Sequence, residues 1–429
     1  MSTLEKETID KGLMALNHLL DSRMLTYLNS CVHCGLCAES CIFFLATGDE
    51  RFVPARKADL VASIYKRYFT WTGKIVPGLI HARDLNEQTA VEMIDLLFGA
   101  CTMCGRCTLH CSVGVDISHL VRAGRTMLAN MGLVPASLQS TVDAALQTGN
   151  NMAIPVEELD DTIRWLEDDL RDDLGDDTAS IPLNVSGKEV LYTLNPREPK
   201  FFPLSISAMA RIFHMAGESW TLSDRMYDVT NYAYFSGNDE EAAVIGQRLE
   251  EEMSLLGARR CVLAECGHGS RAFRWEAPNY LGHAFPFEVL TSVELIHDYL
   301  KSGRIKADPE KNQKKVTLHD PCNLVRGGGI LNQQREILRA VCTNFVEMNP
   351  NGTDNLCCGG GGGHLAMSEY NDRRMATGKL KAEQIRATGA EIVVTPCHNC
   401  VDQLMQITIA NKLNVQIKTI AEITADALI

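Results

Sequence analysis

A chain of 429 residues that is 45% hydrophobic is longer than one core usually serves, so it divides into two or three domains. A formal net charge of -13 argues against nucleic acid as a partner, and sixteen cysteines without an export signal point to metal or redox chemistry rather than a disulfide framework. The apolar stretches are strand-sized and broken by charge or glycine, whereas a membrane span needs about 20 apolar residues.

Residues 1–12 are polar and mixed in charge, without the basic start, apolar stretch and cleavage site of a secretory signal, so the expected location is the cytoplasm. Cys31, Cys34, Cys37 and Cys41 then form a C-x2-C-x2-C-x3-C run, which Cys101, Cys104, Cys107 and Cys111 repeat without change. Three closely spaced cysteines let one loop wrap a cube of iron and sulfide, and the fourth commonly ligates the other cluster in two-cluster proteins. The expected metal ligands are therefore Cys31, Cys34, Cys37 and Cys111 for one cubane [4Fe-4S] cluster, and Cys101, Cys104, Cys107 and Cys41 for a second. Zinc is the competing reading, but zinc sites usually draw C-x2-C pairs from separated loops. Proline usually follows the fourth cysteine, and here Ile42 and Ser112 stand in its place. Between the runs, residues 54–68 and 87–98 carry helical apolar spacing, so residues 1–134 read as an α-helical ferredoxin domain. His33 and Arg106 lie inside the loops, either to raise a cluster's potential or as ordinary solvated residues.

Residues 135–187 are acidic and read as a helical linker. From Lys188 onward, strand-like runs at 190–194, 261–264, 316–318 and 392–395 alternate with helical patterns, which predicts βαβ units and a largely parallel sheet. The stretch also repeats itself. Leu194-Asn195-Pro196-Arg197 aligns with His319-Asp320-Pro321-Cys322, Phe235-Ser236-Gly237 with Cys357-Cys358-Gly359, Leu256-Gly257-Ala258 with Thr388-Gly389-Ala390, and the segment from Thr291 to Glu294 with that from Thr419 to Glu422. In that register the second half, 306–429, holds Cys322, Cys357, Cys358, Cys397 and Cys400, while the first half, 188–305, keeps only Cys266. The expected fold is thus an α+β multidomain protein: an α-helical ferredoxin domain followed by a pseudo-symmetric pair of α/β units, one of them degenerate.

Cys322, the Cys357-Cys358-Gly359 triplet and Cys397-His398-Asn399-Cys400 resemble the CCG motif of heterodisulfide reductases. With two N-terminal cubane runs on the same chain, the sequence resembles the HdrD, DsrK and TmcB family over nearly its whole length, and a single intact copy is closer to the DsrK and TmcB pattern. That resemblance implies a noncubane [4Fe-4S] cluster on Cys322, Cys357, Cys358, Cys397 and Cys400. It also implies a membrane cytochrome b-type partner with other redox-complex subunits, peripheral attachment to the inner membrane, and a DsrC-like protein as substrate. The activity it implies is thiol/disulfide oxidoreduction, in which a disulfide or trisulfide is reduced or formed. A rival with a similar architecture is the iron–sulfur relay subunit of a flavin-dependent 2-hydroxy-acid or glycerol-3-phosphate dehydrogenase.

The residues themselves fit such a site. Five thiolates exceed the four that an ordinary cube requires, and the five glycines at 359–363 would let a substrate sulfur come close to the backbone or would make a flexible loop. A second glycine run, 327–329, follows Cys322 and Arg326. His364 is the candidate catalytic proton donor; with His268 and Cys266 it would face the same region if the halves are symmetric, offering a proton donor and a spare thiol, although lone histidines are more often structural. Cys261 and Cys342 read as core.

Overall fold

The computed structural model describes residues 4–429, so Met1, Ser2 and Thr3, where the 1–12 segment and the 1–134 domain begin, lie outside the described residues. Two compact units are formed, each discontinuous in sequence: Met1–Ser140 with Ala233–Asp239 and Leu356–Lys381, and Thr141–Tyr232 with Glu240–Asn355 and Ala382–Ile429.

Helices and loops build the first unit. The periodic stretch at 54–68 becomes the helix Pro54–Phe69, with proline in the first turn, where its missing N–H has no helical acceptor to serve. Asn86 caps the helix Glu87–Met93 by accepting from the Thr89 N–H, and that helix runs on into a π-helical turn, Ile94–Phe98. Asp116 caps Ile117–Asn130 in the same way through the His119 N–H. Lys6–His18 and Pro54–Phe69 both pack on Ile117–Asn130, which makes it the spine of the unit. Two cationic side chains, Lys57 and Arg125, point inward from these helices and are fully buried.

The second unit holds eight short strands: β1 Val190–Tyr192, β2 Trp220–Thr221, β3 Arg260–Leu263, β4 Glu288–Thr291, β5 Val316–Leu318, β6 Phe345–Glu347, β7 Ile392–Val394 and β8 Gln416–Lys418. They form two parallel sheets with the same order, β2-β1-β3-β4 and β6-β5-β7-β8. The four central strands are the ones whose sequence is apolar almost throughout, as expected of strands covered on both faces. The edge strands β4, β6 and β8 are partly exposed and carry Glu288, Glu347, Gln416 and Lys418, so their sequence gives no strand-like apolar run.

One core serves both sheets. Within it the helix Pro203–Ala216, after β1, packs on Ile420–Ala427, after β8; the helix Ser292–Ser302, after β4, packs on Gln333–Val341, after β5. The acidic stretch contributes as well. Val156–Leu174 turns Leu159, Ile163, Leu166 and Leu170 into this core and leaves most of its carboxylates to solvent. The aligned motifs share backbone detail: Thr291 and Thr419 each close a capping box with Glu294 and Glu422, and Gly237 and Gly359 have the same φ of 96°.

In each sheet the order reverses between the first and third strand of its set, and in open parallel sheets ligands bind beyond the carboxyl ends of strands at that point. Cys322 follows β5 there and Cys397 and Cys400 follow β7. Among the described residues, no helix is long and apolar enough to cross a membrane.

Candidate metal centres

The two cysteine runs of the first unit fold alike. His33 and Met103, each lying just before the second cysteine of its run, adopt left-handed φ of 54° and 55°, and Gly35 and Gly105 continue the curl at 82° and 71°. A chain that turns this tightly without regular hydrogen bonds directs its cysteines to one side, which is what wrapping a compact inorganic core requires.

The thiols gather in two groups of four. Burial raises the pKa of Cys37, and the neighbouring Cys31, Cys34 and Cys111 raise it further. In the other group burial lifts Cys107 well above its ordinary value, with Cys104, Cys101 and Cys41 adding to the shift. The structure therefore brings Cys111 to the first run and Cys41 to the second. Ser112, in the place usually held by proline, has its hydroxyl 3.6 Å from Cys34 Sγ. None of the sixteen cysteines forms a disulfide among the described residues. Four thiols that oppose one another's ionisation can all ionise together only around a multivalent cation.

The second group lines a small pocket of about 30 Å³, together with Lys57, Phe43 and Thr102. The Lys57 ammonium lies 3.6 Å from Cys41 Sγ and also donates to the Ala100 carbonyl. Burial alone would lower its pKa, but the thiols of Cys41, Cys101 and Cys107 outweigh burial and raise it. His33 is paired with Asp59 at 2.8 Å on the exposed side of the first run, whereas Arg106 is buried and donates to the Glu39 carbonyl at 3.3 Å.

The CCG cysteines belong to both units. In the second unit, the half-buried Cys322 and the buried Cys397 and Cys400 stand beyond the carboxyl ends of β5 and β7, and Cys397 Sγ accepts the Gly267 N–H at 3.4 Å. In the first unit, Cys357 and Cys358 are buried and accept the N–H groups of Gly359 and Gly360 at 3.3 and 3.4 Å. Backbone donors aimed at sulfur are what a thiolate ligand calls for. The glycine run after them is buried and lies against the second cysteine loop. A Cβ on Gly362, whose φ is 62°, would stand 2.7 Å from the Thr102 carbonyl carbon and oxygen. The run therefore admits another stretch of backbone to close range. Gly362→Ala is expected to cost more than about 2 kcal/mol, from left-handed strain and this overlap, with an earlier thermal transition and lower bound iron as the readouts.

His364 is buried in the first unit, 5.3 Å from the Phe43 ring, and burial, reinforced by Arg125, Arg374, Lys57 and Arg373, pushes its pKa down to about 3. Neither of its ring nitrogens has a hydrogen-bond partner among the described residues. His268 lies in the second unit beside Asn399 and meets the Tyr232 ring edge-on. Cys266 accepts from Asn195 Nδ2 and the Gly269 N–H, and burial, then Cys397, lifts its pKa to about 12. Cys261 and Cys342 are buried thiols, each raised to about 12 by burial. Sequence reading missed Lys57, Arg125 and Thr102. For Lys57 and Arg125 there was a signal: each sits at a core position of its helical repeat, three or four residues from Val61 and from Val121 and Leu128.

Thiols in two groups of four, with a further set at the switch point of a parallel sheet, define an iron–sulfur redox protein. Its residues 27–115 match the family described as a 4Fe-4S dicluster domain, and residues 316–405 match the CCG cysteine-rich domain. Relatives extend along most of the chain. It is 28% identical to the "Hdr-like menaquinol oxidoreductase iron-sulfur subunit 2" of Archaeoglobus fulgidus, over 86% of this chain and 74% of that one. A similarly named iron–sulfur subunit of Archaeoglobus profundus is 29% identical, over 91% and 76%. One component of the dihydromethanophenazine:CoB–CoM heterodisulfide reductase of Methanosarcina barkeri is 26% identical, over 95% and 96%. The chain thus carries a 4Fe-4S dicluster domain and a CCG domain on one polypeptide, and it is similar along most of its length to iron–sulfur subunits named as Hdr-like menaquinol oxidoreductase and heterodisulfide reductase.

Proposed function

We propose that the protein is the electron-carrying and substrate-handling subunit of a membrane-associated thiol/disulfide oxidoreductase. In this reading Cys31, Cys34, Cys37 and Cys111 hold one cubane [4Fe-4S] cluster, and Cys101, Cys104, Cys107 and Cys41 hold the second. Cys322, Cys357, Cys358, Cys397 and Cys400 hold a noncubane [4Fe-4S] cluster. The observation that carries the reading is the position of Cys322, Cys397 and Cys400 beyond the carboxyl ends of β5 and β7, where parallel sheets bind ligands. The CCG match, whose span includes all five cysteines of the third set, supports it.

When bound, these clusters supply one-electron steps and, at the CCG site, iron able to take up sulfur; the polypeptide binds, orients and shields. The N–H groups of Gly359, Gly360 and Gly267 hold the ligand sulfurs in place. His364, with its lowered pKa, enters as a neutral imidazole, a hydrogen-bonding group rather than an imidazolium acid. The substrate is a disulfide or trisulfide, reduced or formed, of a small DsrC-like protein.

Residues 188–305 and 306–429 are proposed as a duplicated, pseudo-symmetric pair, following the ferredoxin domain at 1–134 and the linker at 135–187. The common strand order, the matched capping boxes and the reciprocal helix packing support the duplication. The names of its relatives, subunits of a menaquinol oxidoreductase and of a heterodisulfide reductase, support work alongside other subunits; in this reading the electron partner is a membrane cytochrome b-type subunit, and the chain attaches peripherally on the cytoplasmic side of the inner membrane.

Anaerobically purified protein is expected to carry about twelve irons, from three four-iron clusters. In Cys358→Ser, disulfide turnover is expected to vanish while the two N-terminal clusters still take up electrons, as followed by electron paramagnetic resonance. Unaltered turnover would remove the active site from the CCG cysteines. Retained electron transfer to a flavoprotein partner without any disulfide turnover in the wild type would favour the dehydrogenase relay instead.

A further inference from the structure

The two cysteine loops have the same backbone but differ at one position with opposite surroundings. Val32, after Cys31, is 63% exposed. Its counterpart Thr102, after Cys101, is 3% exposed, and its hydroxyl lies 3.3 Å from Cys357 Sγ. Loop curvature is alike in the two runs, since His33 and Met103 share a φ of 54° and 55°, so the difference lies in what packs against the second loop.

Two further features hold Thr102 in that contact. Gly362 lets the glycine run lie against the Thr102 backbone, where a Cβ would overlap it at 2.7 Å. Arg125 donates to the Cys101 carbonyl at 2.7 Å and to the Gly362 carbonyl at 2.8 Å, which ties the two stretches together on either side of the contact. The hydroxyl–sulfur pair is therefore built into the interior of the first unit.

We propose that Thr102 donates its hydroxyl proton to Cys357 Sγ and thereby holds the reduction potential of the cluster that Cys357 ligates above the value its thiolates alone would set. The proposal rests on the reading of Cys357 as a cluster ligand. A thiolate bound to iron has no proton of its own, so the hydroxyl is the donor. Each added electron concentrates negative charge on the sulfurs, and in a dry interior a hydrogen bond to sulfur favours the reduced state more than the oxidised one. The Gly359 N–H is a second donor to the same sulfur at 3.3 Å, so Thr102 tunes the site rather than sustaining it alone. The same bond also joins the second cysteine run to the CCG pair through one residue, because Thr102 directly follows Cys101.

The test compares Thr102→Val, which keeps the shape and removes the hydroxyl, with Thr102→Ser, which restores it, in the full-length protein. The readouts are iron content and midpoint potentials from redox titration followed by electron paramagnetic resonance. Thr102→Val is expected to disfavour reduction of the CCG cluster about tenfold, a fall of about 59 mV for one electron, with the first N-terminal cluster unmoved and Thr102→Ser close to wild type. Loss of that cluster's iron in Thr102→Val but not in Thr102→Ser would make the hydroxyl a support of the cluster rather than a tuner of its potential, and overturns the proposal. An unmoved midpoint in Thr102→Val at full iron overturns it, as does an equal shift in the serine and valine variants. Wild-type protein with about eight irons would overturn the ligand reading of Cys357 and the proposal with it, whereas about twelve irons with an unmoved midpoint overturns the proposal alone.

Discussion

Replacing Arg125 by methionine is expected to destabilise the first unit by about 4 kcal/mol, seen as an earlier loss of helical circular dichroism on urea titration and faster bleaching of bound clusters. The side chain is wholly buried and serves four carbonyls: Leu97 at 3.0 Å, Phe235 at 2.7 Å, Gly362 at 2.8 Å and Cys101 at 2.7 Å. Those acceptors come from three stretches distant in sequence, the helical and cysteine-loop region, the 233–239 excursion and the 356–381 excursion. The Phe98 ring, 4.6 Å from the guanidinium carbon, covers one face. Burial pushes the pKa of Arg125 down only to about 10, so it stays charged at neutral pH. Hydrogen bonds from a charged donor contribute about 1.5–3 kcal/mol each, and the desolvation of the buried cation offsets part of their sum. Methionine fills much of the volume but supplies no donor. Arg125→Lys is expected to fall between the two, because an ammonium is a point donor and cannot fork across four directions. A methionine variant with wild-type urea behaviour would show that the three stretches are held by their apolar contacts alone.

Arg125 also marks where the sequence stops being readable. The cysteine runs, the helices at 54–68 and 87–98 and the four central strands were legible because each leaves a local pattern: fixed spacing, a 3.6-residue period, or an unbroken apolar run. The edge strands are short, and β4, β6 and β8 are partly exposed as well, so packing selects them and no pattern announces them. The return of 233–239 and 356–381 to the helical unit is not local either. It depends on a buried cation and on glycine at 362, and neither residue type alone predicts which backbone it will meet. The glycine run illustrates this, since its composition allowed close approach to the backbone but did not say that Gly362 would meet the carbonyl of Thr102. Lys57 and Arg125 could have been flagged as charges on apolar helix faces, but Thr102 could not. In sequence it is one threonine between two cysteines, and its significance appears only beside Cys357.

Lys57→Met is expected to make the second N-terminal cluster harder to reduce by tenfold to a hundredfold, about 59–118 mV for one electron, while leaving the first nearly unchanged. The ammonium is 2% exposed and 3.6 Å from Cys41 Sγ, so its field on that group is poorly screened by water. A cation stabilises whichever oxidation state carries more negative charge, which is the reduced one, so its removal lowers the potential. Around the first run, His33 is exposed with its ring nitrogen bonded to Asp59, and Cys34 itself faces solvent. Salt and water weaken such charges within about 10 Å. The buried lysine therefore gives the second group the more positive field of the two, and with the hydroxyl of Thr102 it would bias electrons from the first run toward the CCG cysteines. Redox titration of Lys57→Met and Lys57→Arg, with iron content measured on each, distinguishes charge from shape. The arginine variant is expected to retain most of the potential, and equal midpoints in methionine variant and wild type at full iron would sink the electrostatic account.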